Sequence, residues 1–141
     1  MIEGGIAGMI CGGSKINHCY STNQIRGTDN VGGICGAASD NSEIKGVIAL
    51  NPEIKGSDAT DKTTIHKILG IKDKNVNLVI SSIYSLDDIK LVVSGKDAKW
   101  NDKDTLNGVK KTVSDINSNF FKGVFENSAL WDYSSKYPIL K

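Results

Sequence analysis

The pentapeptide Gly4-Gly5-Ile6-Ala7-Gly8 returns as Gly32-Gly33-Ile34-Cys35-Gly36, one position in five changed, at an offset of 28 residues (32 − 4). The same offset carries Ile16 onto Ile44. Gln24-Ile25-Arg26-Gly27 meets Glu53-Ile54-Lys55-Gly56 at an offset of 29 (54 − 25). The added residue falls near Pro52, where lengthening a loop costs little. A looser third copy follows, with Ile68, Gly70 and Leu78 at an offset of 34 from Ile34, Gly36 and Ile44. A chain that repeats itself at such a period folds by stacking equivalent segments.

Each unit divides into three short extended pieces: the Gly-Gly-Ile-x-Gly piece, Lys15 to Ser21, and a piece centred on Ile25. Gly, Asn, Asp and Ser clusters between them supply turn chemistry. In the middle piece Ile16, His18 and Tyr20 alternate with Lys15, Asn17, Cys19 and Ser21, and the match to Ile44 favours Ile16 pointing inward. The glycines fit positions where backbone passes close to backbone, or corners with positive φ. A phosphate-cradling loop would instead need Gly-x-Gly-x-x-Gly between a strand and a helix. Here the motif recurs in register and no helical period appears before residue 56.

The pattern Gly-Gly-Ile-x-Gly, then Ile16-x-x-Cys19-Tyr20-Ser21-Thr22, then Ile25-x-Gly27 resembles the GLUG-motif repeat of bacterial surface and secreted proteins. Residues 4–27 match it closely. Residues 32–56 keep Ile44, replace the Cys-Tyr pair with Val47-Ile48 and insert Pro52, and residues 65–85 form a degenerate copy. The resemblance implies a β-solenoid of the kind found in adhesin-like stalks and beside immunoglobulin-cleaving metallopeptidases. It further implies an extracellular or cell-surface setting and a structural or binding role, and it carries no catalytic residues.

From about residue 86 the character changes. Asp87 to Val93 reads as a further strand and Gly95 to Asp104 as a polar connection. Thr112-Val113-Ser114-Asp115 reads as a capping box, with Ile116, Phe120, Phe121 and Val124 on one face of the helix that follows and Gly123 as its stop. The chain closes on Leu130-Trp131 and Tyr137-Pro138-Ile139-Leu140, an ending similar to that of surface proteins with GLUG-like repeats. A stack of strands ends in unpaired backbone and exposed apolar surface. The short helix with its phenylalanines and Trp131 is therefore expected to cap that end. The rival reading makes Trp131, Tyr133 and Tyr137, together with Trp100, an aromatic platform for carbohydrate.

Reactive constellations are sparse. His18 and His66 lie on different repeats without metal-site spacing, and Cys11, Cys19 and Cys35 form no CxxC pair, so the cysteines read as small buried apolar residues. Asn101-Asp102-Lys103-Asp104 opens like a calcium loop, but Leu106 stands at the next ligand position and Asn107 where that loop needs glycine, so it reads as a turn. Asp87-Asp88, adjacent on a strand, would point to opposite faces. The formal net charge is +1, from 17 basic and 16 acidic residues with Arg26 as the single arginine, which gives no basic face for nucleic acid. Apolar runs such as Leu78 to Ile80 are far too short to cross a membrane as a helix.

The expectation is an all-β protein: a short, right-handed parallel β-helix, or β-solenoid, of about three coils. Repeats would occupy residues 1–85, with the last strands and a C-terminal capping segment containing a short helix over residues 86–141. Gly4, Gly5, Gly8, Gly32, Gly33, Gly36, Ile16 and Ile44 would be its structural repeat positions. The expected role is non-enzymatic, a structural or adhesion module without cofactor or metal, in a fragment of a larger bacterial protein. Its partners would be neighbouring domains and, beyond them, a host glycan or protein. The alternatives are carbohydrate binding through the tail aromatics or a fragment of a glycan-cleaving β-helix enzyme.

Overall fold

The computed structural model describes residues 1–58, 60–73 and 77–141. It is all-β, built on parallel sheets, with one short α-helix. The first strand set is β1 (Ile2–Gly4), β2 (Ala7–Ile10), β3 (Lys15–Ser21) and β4 (Ile25–Gly27). The second is β5 (Asp29–Gly32), β6 (Cys35–Ala38), β7 (Glu43–Ala49) and β8 (Glu53–Gly56). The third is β9 (Ile65–His66), β10 (Leu69–Lys72), β11 (Val79–Leu86) and β12 (Lys90–Val93). Each set visits the same four sheets in the same order, and equivalent strands pair in parallel.

Each unit thus contributes four strands rather than three, because the Gly-Gly-Ile-x-Gly piece is a corner between two of them. Ile16 pairs with Ile44, and Ile25 with Ile54, as the offsets require. In the third set it is Ile80, not Leu78, that lies on Ile44. The connection from β10 to β11 is two residues longer than its counterpart, and a two-residue slip keeps the same face inward, so self-comparison could not separate the two. Ile16 and Ile44 are buried in the main core with Ile34, Ile54, Ile68 and Leu91.

The inward alternation breaks once in each long strand. His18 (φ 53°), Gly46 (φ 64°) and Ser82 (φ 51°) occupy one column of the third sheet, each in the left-handed region. One such residue reverses the faces of those that follow. Ile16 and Ile44 point into the main core before the break, and Cys19 and Val47 after it. Tyr20, Ile48 and Tyr84, paired in register, therefore lie on the opposite face. Tyr20 does not share a face with Ile16, as simple alternation would have it.

That outer column receives the C-terminal segment. The capping box at Thr112 closes a 3-10 turn (Val113–Asp115), where the Asp115 carboxylate accepts the Thr112 N–H at 2.9 Å. The helix α1 (Ser118–Val124) starts later, with Asn117 as its cap. Glu126 and Asn127, both with positive φ, follow it in place of a stop at Gly123. Phe121 and Phe125 are fully buried against Ile48, and rings from this segment touch Tyr20 and Tyr84. The helix is therefore a lateral buttress across all three sets, not a lid on the end of the stack. The end is covered by other residues: β13 (Lys96–Ala98) folds back antiparallel on β12, and β14 (Val109–Lys111) extends the third sheet beyond β11. Asp87-Asp88 lies in the turn before β12, not on a strand.

The left-handed column predicts opposite responses within one position class. Gly46→Ala should cost about 2–3 kcal/mol, because its Cβ would lie 2.7 Å from His18 Cδ2 and 2.9 Å from the Val124 carbonyl oxygen. Ser82→Gly should instead stabilise by up to about 1 kcal/mol through relief of the left-handed backbone. Denaturant midpoints of both variants measure this; a stabilised Gly46→Ala would contradict the account.

Candidate functional site

Five of the six repeat glycines, Gly4, Gly5, Gly32, Gly33 and Gly36, work by close approach, whereas a Cβ on Gly8 would meet a single atom, at 3.2 Å. Gly4, Gly5, Gly8, Gly32, Gly33 and Gly36 all lack the positive φ that a glycine corner would show, so the turn half of the sequence reading is corrected. A Cβ on Gly33 would lie 2.1 Å from the Lys67 carbonyl oxygen and 2.5 Å from Asn51 Oδ1. On Gly5 it would lie 2.4 Å from the Gly33 carbonyl oxygen. Corner hydrogen bonds run alongside, from Ile6 N to Ile34 O (2.9 Å), Ile34 N to Ile68 O (3.0 Å) and Ile68 N to Leu106 O (3.1 Å).

Polar side chains gather at the covered end of the stack. At the positions of Gly32 and Gly33 the third set carries His66 and Lys67, both buried. The signal for them in the sequence is the loss of the Gly-Gly pair at offset 34. Lys67 Nζ donates to the Leu86 carbonyl oxygen at 2.9 Å and lies over the Trp100 ring; its burial pulls the ammonium pKa below the ordinary lysine value. Asn107 Oδ1 accepts from Lys67 N, and Trp100 Nε1 donates to the Ile89 carbonyl oxygen.

His66 joins this end to the third set. Its Nδ1 lies 2.8 Å from the Gly70 carbonyl oxygen and its Nε2 2.8 Å from Asp104 Oδ2. Both neighbours are acceptors, so the contacts are fully satisfied only when the ring carries both protons. With each nitrogen engaged, the ring offers none to a nucleophile. Burial acts to raise the Asp104 pKa, but the Leu106 N–H and His66 outweigh it, and the carboxyl sits below its usual value. Other oxygens of the Asn101–Asp104 run are likewise engaged, Asn101 with the Lys103 N–H and Asp102 with Lys110. Beside the first half of β11 lies an open groove of about 750 Å³, bordered by Lys72, Leu78, Ser81, Tyr84, Asp102 and Lys110.

The tail aromatics belong to the lateral cluster. Trp131 packs on Phe125 and Tyr20, with ring centroids 5.1 and 5.7 Å away. Tyr137 stacks on Tyr20, whose hydroxyl donates to the Pro138 carbonyl oxygen at 2.7 Å. The Tyr133 hydroxyl donates to the Ser128 carbonyl oxygen, and its backbone carbonyl accepts from Ser118. Trp100 stands apart from them, packed on the main core. An exposed apolar patch of Leu130, Ile139 and Leu140 borders the cluster, the last two on β16 (Ile139–Leu140), which pairs with β15 (Trp131–Asp132).

The remaining candidates are scattered. His18 packs on Phe125 and lies 3.6 Å from Glu126, which pairs with Lys45. Cys35 is buried and its thiol is pushed up to about 11 by burial, Cys19 is half-buried and Cys11 is exposed, so burial holds for one of the three. Among the described residues no group of three or more His, Cys, Asp or Glu is placed to hold a metal ion, and no helix is long and apolar enough to cross a membrane.

No protein-family model and no curated protein matches this chain. A solved structure from Bacteroides ovatus, named a "putative immunoglobulin A1 protease", is similar with a TM-score of 0.64 and 21% identity. The similarity covers 98% of this chain and 52% of that one, so the chain spans about half the neighbour's length. At this identity the likeness is one of fold alone.

Asp104 gives the covered end a pH dependence. Its depressed carboxyl contributes stability that is present above the unfolded carboxylate pKa, about 4, and is lost as pH falls through the lower folded value. Asp104→Asn should cost about 1 kcal/mol at neutral pH, a figure kept small by partial exposure. It should also flatten the acid limb of a stability-versus-pH curve. An unchanged acid limb would remove His66–Asp104 from the account.

Proposed function

We propose that this chain is a non-enzymatic structural module of a larger bacterial surface or secreted protein. In this reading the three strand sets are coils of a short right-handed parallel β-helix, a GLUG-like solenoid. Its work is to space or present neighbouring domains. The observation that carries the reading is the in-register stacking of three strand sets through four parallel sheets, with glycine wherever one backbone crosses the next. The lateral segment adds rigidity, since one element touches all three sets. The solved neighbour, about twice this chain's length, supports a place within a longer polypeptide.

The reading makes stability depend on the crossings. Gly33→Ala should lower stability by about 3 kcal/mol or more, which for a chain of this size is a drop on the order of 10 °C in Tm. Gly5→Ala should act in the same direction, and near-neutral melts for both would overturn the stacked reading. A glycan array probed with the intact chain and with Trp131→Ala separates a spacer from a carbohydrate binder. The spacer reading expects no hit that the substitution abolishes, whereas one such hit would move the assignment to the tail aromatics.

A further inference from the structure

The two ends of the stack are built differently. At the covered end His66 and Lys67 fill space that a following backbone would need, and Leu106 and Asn107 take the hydrogen bonds there. At the other end β1, β2, β3 and β4 form the outer edge of all four sheets. Ile6 is 44% exposed at that edge, whereas its equivalents Ile34 and Ile68 are fully buried.

Three features of this edge repeat contacts that the inner sets make to the set before them. The Ile34 carbonyl oxygen accepts from Ile6 N and Ala7 N, and the Ile68 oxygen from Ile34 N and Cys35 N; the Ile6 carbonyl holds the same position at the open edge. Asn51 Nδ2 donates back to Ser21 Oγ at 2.9 Å and to the Asn23 carbonyl oxygen at 2.7 Å. Asn23, its equivalent one set earlier, is exposed. Gly36 and Gly70 are required by the preceding set, since a Cβ would lie 2.7 Å from the Gly8 carbonyl oxygen and 2.5 Å from that of Gly36, respectively. At Gly8 a Cβ would meet only the Ile2 carbonyl oxygen, at 3.2 Å, so the visible fold gives glycine little reason to stand there.

We propose that this edge docks a further β layer of the same repeat, running parallel to β1–β4 and entering ahead of Met1. Its corner supplies two N–H groups to the Ile6 carbonyl, a carbonyl to the Asn23 amide, and the backbone that crosses Gly8. Met1 already lies against Thr28 and Asp29, at the crossover from β4 to β5, where such a layer would hand over the chain. A second copy of this chain does not fit. Placed edge to edge it would oppose Ile6 carbonyl to Ile6 carbonyl with antiparallel strands, and placed head to tail it would meet the covered end.

The inference rests on the stacked reading of the preceding subsection, and one experiment separates the two. A copy of residues 1–28 is fused ahead of Met1 of the full chain, and Tm is measured with and without Gly8→Ala, Asn23→Ala and Gly36→Ala. The fusion should melt higher than the chain itself. Gly8→Ala, which shifts the unfused chain by less than about 2 °C, should lower the fusion by at least about 5 °C, and Asn23→Ala should gain a cost in the same way. Gly36→Ala should destabilise both proteins; if it does not, the stacked reading fails. If Gly36→Ala costs in both but Gly8→Ala stays mild in the fusion, the docking edge is refuted. A fusion that loses the native transition, or whose added residues are trimmed by protease back to Met1, refutes it equally.

Discussion

Where Lys67 passes over Gly33, and Gly33 over Gly5, two backbones approach more closely than a methyl group would permit. A Cβ at either glycine would overlap a carbonyl oxygen that the next sheet layer holds in place. That approach lets corner N–H groups reach the carbonyls of the following set, and it fixes the vertical spacing of all four sheets together. Where each strand set pairs only with the sets beside it, a forced crossing is felt first at that interface.

The left-handed column at His18, Gly46 and Ser82 is the second organising device. It turns a single sheet into the wall of two cores, with Val47 on one side and Ile48 on the other. Without it Tyr20, Ile48 and Tyr84 would not line up on the outer face, and Phe121 and Phe125 would have no apolar surface to cover. The lateral segment then joins layers that otherwise meet only pairwise, and Tyr20 and Pro138 tie the first set to the tail. The ends of the stack differ for a related reason, because the third set replaces the paired glycines with side chains that occupy the next layer's space.

Much of the fold was legible in the residues. Ile16 over Ile44 and Ile25 over Ile54 followed from spacing alone, since in-register parallel pairing needs only a constant offset. Ile80 was missed in favour of Leu78 because both satisfy the same face. The reversal after His18 was missed because His, Gly and Ser share no side-chain property that marks a left-handed residue. His66 and Asp104 are 38 residues apart, and nothing local announces their contact. The aromatic tail, expected at the end of the stack, packs along its side instead, against Tyr20, Ile48 and Tyr84.

The sequence by itself determined the repeat, its period, the all-β character and the recurrence of glycine at equivalent places. These are local matters: β-branched residues at fixed intervals, turn residues between them, and glycine where two backbones must cross. The tertiary structure alone decided where the helix docks, which end is covered, and what His66, Lys67 and Asp104 do for one another. Apolar periodicity states which face must leave water but not which surface receives it. That choice depends on the spatial match of segments that lie far apart along the chain.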